Sequence, residues 1–205
     1  MKIHLIRHGK TVANEQRLYC GATDLPLSEV GVTELCRLKT QAIYPKSVCF
    51  FYTSGLLRTK QTLELLYGSV QRSALPALVE FNFGSFEMQS YEMLKEQKDY
   101  QAWITDETGL VACPNGDNKQ TFTCRVIDGY TQLMSKAQIG SIGEQGTVCP
   151  DDHSDSLVVC HGGVIACIMD YLFPATHNFY EWQPKPGRGY TIAYSGGNLK
   201  SYKKI

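Results

Sequence analysis

Short apolar runs recur along this chain, and three of them pass through glycine, serine or an ionisable residue into a helical pattern. "KIHLI" (2–6), "VCFFYTS" (48–54) and "SLVVC" (156–160) read as strands buried on both faces, and "YTIAYS" (190–195) as a fourth. Between the first two runs lies a helical pattern that Ser28 can N-cap, with Val32, Leu35, Cys36, Leu38, Ala42 and Ile43 on one face. Ser54 is placed to cap a second helix, "GLLRTKQTLELLY", which Gly68 ends. A third is expected from Ser90 through Tyr91 to about Ile104. A fourth is expected over 119–137, with Phe122, Val126, Tyr130, Leu133 and Met134 on one face. A fifth follows Gly162-Gly163 as "VIACIMDYLF" and stops at Pro174. Strands alternating with helices predict an α/β fold: a three-layer αβα sandwich with a mostly parallel central sheet and helices on both faces.

At 205 residues the chain suits a single domain over 1–205 with a core of its own. Two stretches break the alternation. Residues 80–118 hold one helical pattern and a "CPNGDN" turn, with no convincing strand, and 138–155, "QIGSIGEQGTVCPDDHSD", has the look of an exposed loop. Both read as insertions or loops near the sheet edge.

Charge excludes several classes. Lys plus Arg equals Asp plus Glu, 20 each, which argues against a general nucleic-acid or membrane-surface binder. The apolar runs are far too short to span a bilayer. Met1-Lys2 leads straight into the first strand, so no secretion signal is expected and the cytoplasm is the expected location. The eight cysteines include no C-x-x-C pair, which argues against a zinc ribbon or a thioredoxin-type site. Several sit in apolar patterns as small hydrophobes, and reduced thiols are expected.

In sheets of this kind ligands bind where the strands end and the helices begin. The first strand ends in Arg7-His8-Gly9. The second runs into "YTSGLLRT", which puts Arg58 in the opening turn of a helix, where the dipole disfavours a cation. "SLVVC" runs into His161-Gly162-Gly163, and Glu80 follows "ALPALV", a weakly signalled strand. Two arginines, two histidines and a carboxylate can therefore meet at one sheet edge. The glycines let backbone N–H groups approach an anion there. Each residue alone is more often structural or solvated; their joint occurrence carries the signal.

On these residues the chain resembles the histidine phosphatase superfamily, the phosphoglycerate mutase-like fold. "LIRHGKTVANEQRLYCGATDLPLSEVG" is similar to its opening, "YTSGLLRTKQT" to its second motif, "LVEFNFGSFE" to its acidic motif and "LVVCHGGVI" to its last. The match runs in order over nearly the whole chain. The resemblance implies that His8 is the nucleophile, that Arg7, Arg58 and His161 hold phosphoryl oxygens, and that Glu80 donates the proton. It also implies that Asn14, Cys20, Gly21 and Gly162 lie at the phosphate or substrate. The "YCGATDLPLS" loop is similar to that of alpha-ribazole phosphatases and is shared widely. Three positions depart from the family pattern: Lys10 replaces a frequent Glu, "NGDN" (115–118) a frequent Gly-Glu-Ser, and Ala166 a frequent Arg.

The chemistry agrees with those roles. Neighbouring arginines disfavour a protonated imidazole, and a neutral imidazole attacks phosphorus. Guanidinium donors match the charge spread over the phosphoryl oxygens. No metal or other cofactor is required. "DDHSD" (151–155) reads as a solvated loop, not as a metal site. The expected activity is hydrolysis of a small phosphorylated metabolite through a phosphohistidine, with no nucleic-acid or membrane partner. A bisphosphoglycerate-dependent mutase and a non-catalytic phosphate-binding module are the competing readings. The resemblance also implies that a mutase takes an arginine pair from the stretch 73–124. Here that stretch has no arginine, and its only lysines are Lys95, Lys98 and Lys119.

Overall fold

The computed structural model describes residues 1–139 and 155–205. Six strands, β1 (Lys2–Arg7), β2 (Phe50–Thr53), β3 (Arg72–Ala74), β4 (Ser156–Cys160), β5 (Gly189–Ser195) and β6 (Asn198–Lys204), form one sheet in the order β3-β2-β4-β1-β5-β6. β3, β2, β4 and β1 run parallel, while β5 pairs antiparallel with β1 and with β6. The sheet is thus mixed, with a parallel core and an antiparallel hairpin at one edge.

Alternation along the central strands builds two cores. Ile3, Leu5, Val158 and Cys160 face one cluster; Ile6, Leu157 and Val159 face the other. The first is completed by α6 (Lys119–Ile139) and α7 (Gly162–Leu172), through Val126, Leu133, Val164 and Ile168. The second is completed by α2 (Glu29–Thr40) and α3 (Leu57–Tyr67), through Leu35, Leu63 and Leu66. Each such side chain contributes about 1.5–3 kcal/mol on burial. This is why β4 is buried at every position and apolar from Leu157 to Cys160 instead of alternating.

Several expectations change. Ser28 caps α2, accepting from Gly31 N–H at 3.1 Å, but only Gly31, Leu35 and Leu38 are buried along it. Ala42 lies beyond the helix with φ 52°, and Cys36 is exposed. The helix expected over 90–104 is two: α4 (Tyr91–Leu94) and α5 (Lys98–Ile104). In a continuous helix Leu94 and Trp103 would fall about 180° apart; the break lets both enter the core. No strand covers 75–79. Pairing ends at Ala74, and Pro76 opens a short 3-10 helix, Pro76–Leu78, because it cannot donate to a ladder.

Two strands went unanticipated. β3 is only three residues long and largely exposed. β6 carries Lys200, Lys203 and Lys204, so it reads as polar; lysines on an outer strand also discourage edge pairing. The Gly196-Gly197 turn before it, with φ 56° and 78°, was the missed hairpin signal.

Asp155 does not belong to a solvated loop. It is buried, and its Oδ1 accepts from Lys2 N–H at 2.7 Å. The other residues of that stretch, and most of 138–155, lie outside the described residues. Cys49 is disulfide-bonded, against the expectation of reduced thiols, while Cys20, Cys36, Cys113, Cys124, Cys160 and Cys167 are free. Composition speaks to compartment; which sulfurs meet is decided by the Cα separations that the fold sets. Among the described residues no helix is long and apolar enough to cross a membrane.

Candidate active site

His161 alone joins β4 to α7, and it and the first two residues of the helix, Gly162 and Gly163, each touch a different part of the set expected from the sequence. His161 lies against His8, with ring centroids 5.2 Å apart at 65°, and its Nδ1 is 3.3 Å from Arg58 Nη2. At Gly162 a Cβ would stand 2.9 Å from Arg7 Cζ. Gly163 donates its N–H to Glu80 Oε2 at 2.8 Å, and a Cβ there would stand 2.5 Å from Glu80 Oε1. Arg7, His8, Arg58, Glu80 and His161 therefore converge on one strand exit. Glycine is needed at both junction positions for space.

His8 reaches this place because β1 pairs with β4 to its last residue, Arg7 opposite Cys160. His8 N–H then donates to Cys160 O at 3.0 Å. Its Nδ1 lies 2.6 Å from Gly9 O. A carbonyl only accepts, so Nδ1 carries the proton and the Nε2 lone pair is free. Burial, Arg58 and Arg7 hold the His8 pKa well below 6.5, so the ring is neutral near pH 7.

His161 is fully buried, and burial, His8 and Arg58 hold its pKa well below 6.5. A guanidinium only donates, so Nδ1 accepts from Arg58 and Nε2–H donates to Ser54 Oγ at 2.8 Å. Ser54 thus fixes His161. It does not cap α3, whose N-cap residue is Leu56. The Leu57 N–H donates instead to Asp24 Oδ1 at 2.7 Å.

Arg58 is 1% exposed. Its Nη1 donates to Thr23 O at 2.8 Å and its Nη2 to Gly21 O at 2.7 Å. Arg7 Nη1 donates to Pro184 O at 2.9 Å, while Arg7 Nε is buried without a partner. Burial lowers the pKa of both arginines, and Glu80 is among the groups that oppose that shift. A buried guanidinium N–H with no acceptor suits an incoming anion.

The remaining expected residues are mostly engaged internally. Asn14 Oδ1 accepts from Thr11 N–H at 3.0 Å in a capping box at α1 (Val12–Glu15). Cys20 Sγ lies 3.7 Å from Thr23 O, and burial raises its pKa. The Gly21 carbonyl serves Arg58. Of the departures from the family pattern, Lys10 pairs with Glu34 at 2.9 Å and Ala166 is buried in the core. Asp117 accepts from Arg125 Nη2 at 2.9 Å and Asn82 N–H at 3.0 Å.

Sequence reasoning missed Ser54 in its present role, Thr62, Glu87 and Arg125. Thr62 Oγ1 accepts from Gly9 N–H at 3.0 Å and donates to Arg58 O at 2.7 Å. Arg125 donates to the carbonyls of Ala77, Val79 and Glu80 and so fixes the backbone before the carboxylate. Thr62, Glu87 and Arg125 sit at no strand exit, so spacing alone could not single them out, and Ser54, at the exit of β2, reads as a helix cap. Among the described residues no group of three or more His, Cys, Asp or Glu could hold a metal ion.

The family model of the histidine phosphatase superfamily (branch 1) matches residues 3–201. The chain belongs to this superfamily. Among its relatives is the adenosylcobalamin/alpha-ribazole phosphatase of Salmonella typhimurium, 31% identical over 176 residues that cover 82% of this chain and 78% of the relative. A probable phosphoglycerate mutase of Yersinia pestis is 24% identical over 178 residues, covering 84% and 74%. The crystal structure of a putative alpha-ribazole-5'-P phosphatase from Escherichia coli superposes with TM-score 0.78 at 25% identity, covering 98% of this chain and 94% of that one. A Thermus thermophilus phosphoglycerate mutase shares the fold, with TM-score 0.65 and 24% identity over 98% of both chains. Both phosphatase and mutase names thus occur within this superfamily fold.

Proposed function

We propose that this histidine phosphatase superfamily member is a metal-independent phosphomonoester hydrolase acting through a phosphohistidine on a small phosphorylated metabolite. The observation that carries the reading is the His8 Nδ1 to Gly9 O bond of 2.6 Å in a ring held neutral by burial and two arginines. It aims an unprotonated Nε2 at the strand exit. Nε2 attacks phosphorus as the P–O bond to the alcohol breaks. Glu80 gives its proton to the departing oxygen. Arg7 Nε and Arg58 face the phosphoryl oxygens, and the Asn14 amide nitrogen is the end of that side chain left to donate. Water then attacks the phosphohistidine, Glu80 takes its proton, and inorganic phosphate leaves with the His8 lone pair restored. His161 acts by orienting Arg58.

The alpha-ribazole phosphatase relatives make a phosphorylated riboside a first substrate to try. We assign the reaction to the cytoplasm. The free described cysteines accord with that, and the Cys49 disulfide runs against it.

The test is rapid quenching with 32P-labelled substrate. An acid-labile, alkali-stable phosphoprotein is expected, and His8→Ala should abolish both label and turnover. Near-normal turnover in His8→Ala would remove His8 from the mechanism.

A further inference from the structure

Glu87 collects an unusual set of donors. Its Oε1 accepts from the N–H groups of Gly21, Ala22 and Phe83, each at 3.0 Å, and its Oε2 from Gly21 at 3.0 Å and Thr23 at 3.3 Å. Three of these four N–H groups belong to the 21–23 loop. That loop in turn holds Arg58, through the carbonyls of Gly21 and Thr23.

The connection is closest at one amide. The Gly21 carbonyl and the Ala22 N–H belong to the same peptide unit. Its oxygen accepts from Arg58 Nη2 at 2.7 Å, and its N–H donates to Glu87 Oε1 at 3.0 Å. A carboxylate at one end and a guanidinium at the other polarise the same planar group, which strengthens both bonds. Backbone contacts bring the loop up against the segment that carries Glu87. A Cβ at Gly21 would stand 1.6 Å from Phe81 O, so the backbones are already in contact. Met88 N–H donates to Tyr19 O at 2.7 Å, and Tyr19 N–H to Gln89 O at 2.9 Å.

We infer that Glu87 is a positioning residue that sets the orientation of the Arg58 guanidinium through the 21–22 peptide and the Thr23 carbonyl. It touches neither substrate nor the reacting atoms. The inference rests on the proposed phosphatase reading for what Arg58 does. It differs from that reading in what it says of Arg58: without the carboxylate, the loop carbonyls lose their register and the guanidinium loses its aim. Glu87→Gln is the informative change, because its size is conserved while one oxygen becomes an NH2 that faces N–H donors.

The experiment combines kinetics on an alkyl and an aryl phosphate with calorimetric titration of vanadate, using wild type, Glu87→Gln, Arg58→Lys, the double variant and His8→Ala. Displacing Arg58 by even an ångström should lower kcat/KM about 10²-fold on both substrates. Vanadate affinity should fall by about tenfold, and the double variant should lie within about threefold of Arg58→Lys, since the two residues act as one unit. Unchanged activity, unchanged vanadate affinity, or losses that multiply in the double variant would overturn the inference. If Glu87→Gln fails to fold, Glu87→Asp takes its place with an intermediate loss expected; failure of both to fold would make Glu87 purely structural and also overturn it. Turnover retained by His8→Ala would count against the phosphohistidine instead, and the vanadate titrations would still decide the role of Glu87.

Discussion

Arg58 Nη2 donates to His161 Nδ1 across 3.3 Å, and the opposite nitrogen of the same imidazole donates to Ser54 Oγ at 2.8 Å. The ring is therefore a neutral spacer between a helix-borne guanidinium and a strand-exit hydroxyl. Ser54→Ala removes the acceptor and leaves a buried N–H unpaired. The expected cost is about 1–3 kcal/mol of stability, with kcat/KM reduced on every substrate. Urea unfolding of the two proteins, alongside steady-state kinetics, measures both; an unchanged midpoint would show that Ser54 does not hold His161.

The neighbouring glycines should fail differently. Gly163→Ala places a methyl against Glu80 Oε1, whereas Gly162→Ala places one against Arg7. Gly163→Ala should therefore mimic Glu80→Gln: on the order of 10²–10⁴-fold slower on an alkyl phosphate, and much less affected on an aryl phosphate with an acidic phenol. Gly162→Ala should slow both substrates alike, because the phosphoryl clamp is common to them. Comparing the two rate ratios checks this, and identical ratios for the two variants would refute the separation of roles.

Acid should destabilise the fold through its buried histidines. His4 is lowered to about 4, chiefly by burial, with Asp155 opposing and Lys2 adding to the shift. His8 and His161 are lowered well below 6.5. A depressed folded-state pKa means that the unfolded chain binds more protons, so this stability is present above about pH 6.5 and is lost as pH falls towards the folded values. For His4 alone the loss is on the order of 3 kcal/mol by about pH 4. Urea midpoints measured from pH 7.5 down to 4.5 should fall steadily, and His4→Gln should flatten part of the slope. A midpoint that rises on acidification would contradict it.

Mutase turnover should be negligible. In the 73–124 stretch Lys95 pairs with Glu92 at 2.6 Å and Lys119 donates to Asp106 O at 2.6 Å. Arg125, just beyond, is spent on backbone carbonyls and Asp117. A carboxylated, doubly phosphorylated ligand needs more cations than this leaves. Coupled assays should show phosphate release, unchanged after exhaustive chelation, and no interconversion of 3- and 2-phosphoglycerate with bisphosphoglycerate added. Mutase turnover tenfold above hydrolysis would reverse the ranking.

The sequence by itself determined the alternation of strands and helices, and with it the parallel core and the edge where chemistry could gather. A buried strand must be apolar on both faces, and a ligand-facing strand exit must turn polar, so β1, β4 and the R-H-G and H-G-G junctions were legible as a pattern. β3 and β6 were not, because edge strands bury little and carry no such pattern. Only the tertiary structure decided which groups hold which. Ser54 looked like a helix cap because a serine before a helix usually is one; the approach of His161 gave its oxygen another partner. Asp155 looked solvated because its neighbours are polar; pairing beside Lys2 buried it. Glu87 closes the stretch similar to the family's acidic motif and Arg125 lies within a helical pattern, and neither position says which groups it holds. Their partners are backbone amides and carbonyls, which every residue possesses, so no side-chain pattern can announce them, and only the folded chain brings the 21–23 loop to one and the backbone before Glu80 to the other.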